Sequence, residues 1–127
     1  MLPTTSPALL TKALLRSAEQ LELLADLPSL LQLQPEEIIQ LQSGARFLDP
    51  EGPEWVRALK IVSLFRILVS LLGTVQRARA WLGHANETLG ARPLDLLRTP
   101  DDDRVYRYLN AVQKHELRLP LGFASAP

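Results

Sequence analysis

Leucine and alanine recur at three- and four-residue intervals along almost the whole chain, and no segment alternates apolar and polar positions as a half-buried strand does. The pattern predicts an all-α fold. Leu10, Leu14, Ala18 and Leu21 form a first stripe, with Pro7 at the start of the helix, where its missing N–H costs nothing. Asp26 is placed to cap a short second helix, Leu27 to Leu31. Gln34-Pro35-Glu36-Glu37 opens a third, which Ser43-Gly44 ends. A loop dense in proline and glycine, 47–53, then precedes a long helix from about Glu54 to Leu72.

The long helix carries two stripes. Trp55, Leu59, Val62, Phe65, Val69 and Leu72 make one, and Ile61, Leu64, Leu68 and Leu71 make the other. A helix apolar on most of its circumference is buried on more than one side. The expectation is that the first stripe packs on its own domain and that Ile61, Leu64, Leu68 and Leu71 face a second copy of the chain in a homodimer.

The chain of 127 residues is 46% hydrophobic and carries no formal net charge. One compact domain, or two small ones sharing a core, fits that length, and the molecule as a whole advertises no affinity for polyanions. Without cysteine there is no disulfide framework. The first residues lack the pattern of a secretory signal, and the strongest apolar run, Ile61 to Leu72, is too short for a bilayer and has Arg66 at its middle. A cytoplasmic protein with no membrane partner is expected.

Two histidines, no cysteine and no glycine-rich phosphate loop assemble no nucleophile, base and orienter. No catalytic residue, no metal ligand and no cofactor is therefore assigned. Asp101-Asp102-Asp103 fall where carboxylates favour the positive end of a helix dipole, and His84 follows Trp81 in a turn, as a surface histidine.

Helices at Leu27–Leu31 and Pro35–Gln42, joined by a tight turn, have helix-turn-helix spacing, with the second as recognition helix. Gln34, Gln40, Gln42 and Arg46 are its DNA-facing candidates. Charge opposes that role. Residues 1–50 set Lys12, Arg16 and Arg46 against six carboxylates, a balance of −3, and the recognition helix has glutamates but no Lys or Arg. Gln32 also stands where such turns commonly have glycine.

The second half is punctuated in a distinctive order. Trp81-Leu82 closes a short helix, Asn86 and Leu89-Gly90 mark a turn, Arg92-Pro93-Leu94-Asp95-Leu96-Leu97 follows, and Thr99-Pro100 opens a last helix carrying Val105 and Leu109. This ordered set resembles the toxin-binding segment of the MbcA/ParS/Xre antitoxins, and the helix-turn-helix spacing resembles the Xre-type region ahead of it. The expected organisation is an Xre-like helix-turn-helix and central helix over 8–73 and a toxin-binding module over 74–127.

The resemblance implies a partner: a RES-domain toxin that breaks down NAD or transfers ADP-ribose from it, blocked through the antitoxin's C-terminal end. Autorepression of the operon, with operator DNA bound by the complex, is implied too. Carried over, Trp81, Leu82, Leu89, Leu94, Leu97 and Arg98 are structural or docking elements, and His115, Leu117, Arg118, Leu119 and Pro120 approach the toxin's pocket. His115-Glu116 departs from the small residues frequent in the family there, as does Asp102 from a frequent glycine. Trp81 equally fits a plain core position beneath the last helix. A stand-alone helix-turn-helix regulator is the alternative.

Overall fold

The computed structural model describes residues 6–114. Among them are seven α-helices and no named strand, so the all-α expectation holds. The chain packs as two units, the first ending at Phe65 and the second beginning at Arg66.

In the first unit α1 spans Pro7–Gln20, its start capped by Ser6, whose hydroxyl accepts from the Leu9 N–H at 3.0 Å. The apolar stripe Leu10, Leu14 and Ala18 is buried as its spacing requires. Thr11, buried in the same row, donates to the Pro7 carbonyl at 2.7 Å and accepts from the Leu48 N–H at 2.9 Å. One hydroxyl thus ties the loop before the long helix to α1.

A 3-10 turn, Leu24–Asp26, leads into α2, Leu27–Leu31. Asp26 caps by position only: its backbone is already right-handed helical and its side chain makes no capping bond, because the 3-10 turn runs straight into α2. Gln32 then takes the left-handed conformation, φ 56 and ψ 47, and its N–H returns to the Pro28 carbonyl. α3, Pro35–Ser43, follows and ends at Gly44 with φ 82. Leu27, Leu31, Ile38 and Leu41 are buried, an arrangement consistent with helix-turn-helix packing.

A left-handed glutamine carries a Cβ that crowds its carbonyl. Gln32→Gly is therefore expected to stabilise the protein by about 1 kcal/mol, the relief exceeding the entropy glycine adds to the unfolded chain. A urea midpoint raised at unchanged slope is the check.

α4, Pro53–Leu72, is the long helix. Both of its stripes contribute to the interior: Val62 and Leu72 of the first are buried, and the second is buried more completely than the pattern suggested. Ile61, Leu64 and Leu68, expected to face another copy, are interior in a single chain, and Leu71 is half-buried. They share their row with Ala58, also fully buried, whose small side chain allows close approach. The more open apolar residues are Val56, 56% exposed, and Leu59, 39% exposed. Among the described residues no single helix is long and apolar enough to cross a membrane.

The second unit holds α5, Val75–Gly83, α6, Pro93–Leu97, a 3-10 turn at Pro100–Asp102, and α7, Asp103–Gln113. Thr74 caps α5 by accepting from the Arg77 N–H at 3.1 Å, and Thr99 caps the 3-10 turn by accepting from Asp101. α6 sits at the middle, against α5, the 3-10 turn and α7.

Candidate functional site

The second unit is built around one aromatic pair. Trp81, from the end of α5, is 1% exposed and stacks on Tyr108 of α7, with ring centroids 6.2 Å apart and planes 18° from parallel. Leu82, Leu89, Leu96, Leu97, Val105 and Leu109 complete the interior. Four of the apolar residues expected as structural or docking elements, Trp81, Leu82, Leu89 and Leu97, are therefore core, and their types are explained by close packing. Leu94 is half-buried and Arg98 exposed, so these two remain accessible. His115, Leu117, Arg118, Leu119 and Pro120 lie outside the described residues.

The turn between α5 and α6 is organised by Asn86, which is buried. Its N–H pairs with the Ala91 carbonyl at 3.0 Å, its own carbonyl accepts from Gly90 at 2.7 Å, and its side-chain oxygen accepts from Leu89 at 3.1 Å. Gly90, φ 75, supplies the left-handed step that closes the turn. Arg104 of α7 donates to the Leu89 carbonyl at 2.6 Å, holding the turn against the last helix. The side-chain nitrogens of Trp81 and Asn86 are buried and find no acceptor among the described residues.

Beside this turn lies an open cleft of about 380 Å³ lined by Thr88, Leu89, Arg104, Arg107 and Tyr108. Of these only Leu89 was singled out from sequence. On α6, Arg92 grips Asp95 with two hydrogen bonds of 2.8 Å, and Arg98 approaches the same carboxylate at 3.6 Å. The hydrogen bond from Arg92 holds the Asp95 carboxyl below its usual range.

His84 is exposed, its Nδ1 2.8 Å from the Ala80 carbonyl, a local helix-end contact. Asp101 and Asp102 lie in the 3-10 turn and Asp103 opens α7. Among the described residues no group of three potential ligands is gathered for a metal ion.

In the first unit the DNA-facing candidates divide. Gln34, Gln40 and Gln42 are exposed along α3. Arg46 instead pairs with Glu37 and reaches Glu54 at 3.4 Å. The Glu37 carboxyl is held below its ordinary range by the Gln34 N–H and by Arg46. Glu54 is buried, and a Cβ on Gly52 would come within 2.6 Å of its carboxylate oxygens, so glycine there leaves that carboxylate its room. Arg46 is thus shared between two carboxylates of its own unit, which weakens its hold on a phosphate.

A small helical module whose aromatic core braces a capped turn and a cation-lined cleft is suited to binding another macromolecule. Residues 68–114 match the antitoxin Xre/MbcA/ParS C-terminal toxin-binding domain. The match begins close to Arg66, where the second unit begins. The match agrees with the resemblance in the segment's punctuation. No curated protein matches the chain.

Proposed function

We propose that this protein is the antitoxin of a type II toxin-antitoxin pair and that its partner is a RES-domain, NAD-consuming toxin. The observation that carries this reading is the match of residues 68–114 to the toxin-binding domain. The accessible groups of that domain, Leu94 and Arg98 with the cations of the cleft, supply docking. The segment Leu117-Arg118-Leu119-Pro120 supplies the block, because a guanidinium is made to pair with the anionic groups of a dinucleotide site. The test is purification with the RES toxin of the neighbouring reading frame, followed by an NAD-consumption assay. A stable complex that spares NAD is expected; a toxin that neither binds nor slows sinks the reading.

Autorepression and homodimerisation belong to the same proposal. The apolar surface for a dimer is the side of α4 with Val56 and Leu59, and sedimentation at micromolar concentration tests it. The chain alone is expected to hold promoter DNA no more tightly than roughly micromolar in moderate salt, the range of non-specific binding, because α3 is acidic and Arg46 is committed to Glu37 and Glu54. Added toxin is expected to tighten binding by multiplying phosphate contacts. Tight, sequence-specific binding by the isolated chain would favour the stand-alone regulator instead.

A further inference from the structure

We propose that the cleft between the Asn86–Ala91 turn and α7 receives an acidic side chain of the toxin, which makes Arg104 and Arg107 the specificity-determining cations of the complex. The inference rests on the antitoxin reading above and names the chemistry of its docking surface.

Arg104 and Arg107 are exposed and one turn apart on α7, so they share a face and both line the cleft. Arg104 is tethered by its 2.6 Å bond to the Leu89 carbonyl. Its fork is therefore positioned before any partner arrives, and less side-chain entropy is lost on binding.

Among the described residues that line the cleft there is no carboxylate. Thr88 brings a hydroxyl, and Leu89 and Tyr108 bring apolar surface. Each of those two is also linked to a buried donor that lacks an acceptor among the described residues. Asn86, whose Nδ2 is unsatisfied, bonds the Leu89 N–H, and Trp81, whose Nε1 is unsatisfied, stacks on Tyr108. From Arg66 to Lys114 the sequence has eight Lys and Arg against five Asp and Glu, a balance of +3. One of those five, Asp95, is already held by Arg92 and Arg98.

Two forked cations over a partly apolar floor complement a carboxylate on a protein surface. A nucleic-acid backbone calls for a longer run of cations than one turn provides. Tyrosine and arginine are also types that concentrate binding energy at protein interfaces.

The test uses the full-length chain and a RES toxin silenced in its active site, with calorimetry at low and high salt. Arg107→Glu is expected to weaken the complex by about 30-fold or more at low salt, within the range for reversing one member of an interfacial charge pair. Arg107→Lys is expected to lose less, and the charge-matched control Lys12→Glu, on α1, to stay within about 3-fold. High salt is expected to narrow the difference.

Circular dichroism and a thermal melt establish that Arg107→Glu folds as wild type. Toxin affinity unchanged in a folded Arg107→Glu protein overturns the proposal and leaves the antitoxin reading standing. Unchanged toxin affinity with lost affinity for duplex DNA overturns it in favour of a phosphate site. A wild-type chain that binds no RES toxin overturns the antitoxin reading and this occupant together.

Discussion

Trp81→Ala is expected to unfold the second unit, with a loss of about 3–5 kcal/mol, while Trp81→Phe is expected to cost far less. The indole is the largest side chain among those fully buried, and it is stacked on Tyr108 between the end of α5 and α7. Alanine leaves a cavity where that contact was, and a close-packed interior collapses into such a hole only in part. The whole stability of a small domain begins at about 5 kcal/mol, so the loss takes most of it. Phenylalanine keeps a ring against Tyr108 and removes the indole N–H, a buried donor with no acceptor among the described residues. The check is a denaturant titration followed by far-ultraviolet dichroism. Two transitions in the alanine variant, with the second unit melting first, is the expected result; a midpoint near that of wild type contradicts the core assignment of Trp81.

The helices were legible because their ends are marked chemically. Pro7 and Pro35 open α1 and α3, Thr99 accepts from the backbone N–H of the turn it begins, and Gly44 and Gly90 take left-handed conformations that favour glycine. The orientation of α4 was misjudged because both its stripes are apolar, and hydropathy alone does not say which row turns inward. Two residues carried the missing information. Ala58, in line with Ile61, marks a close approach, and Glu54, on the same side, is buried only because Arg46 and Gly52 accommodate it.

The candidate site was legible as a segment and not as a surface. Trp81, Leu82, Leu89 and Leu97 stood out because large apolar residues among turns stand out, and the fold uses them as its interior. Arg104 and Arg107 were passed over because exposed cations on an amphipathic helix look like a solvated face, and Thr88 because an exposed threonine in a turn looks like ordinary loop surface. What brings Arg104 to the turn is a side chain to backbone contact spanning fifteen residues, with no periodic trace in the sequence. Arg46 likewise reads from the sequence as available for DNA, whereas the fold pairs it with Glu37 and Glu54.

Deleting residues 116–127 is expected to separate binding from neutralisation. The described fold, 6–114, already contains the Trp81–Tyr108 pair, the Asn86 turn and the cleft, so the truncated chain is expected to fold and to co-purify with the toxin. The proposed blocking segment, Leu117-Arg118-Leu119-Pro120, is absent from it. A guanidinium lost from a dinucleotide pocket removes a charge-assisted pairing, and the leucines beside it would no longer exclude substrate. The complex is therefore expected to form while NAD is still consumed and cells are unprotected. Arg118→Ala isolates the charge: it is expected to weaken inhibition by about tenfold or more, the scale of one hydrogen bond to a charged group, with co-purification intact. Full protection by the truncated chain would eliminate the pocket-blocking segment and move inhibition onto the surface around Arg104 and Arg107, where docking itself would then have to close the toxin's site.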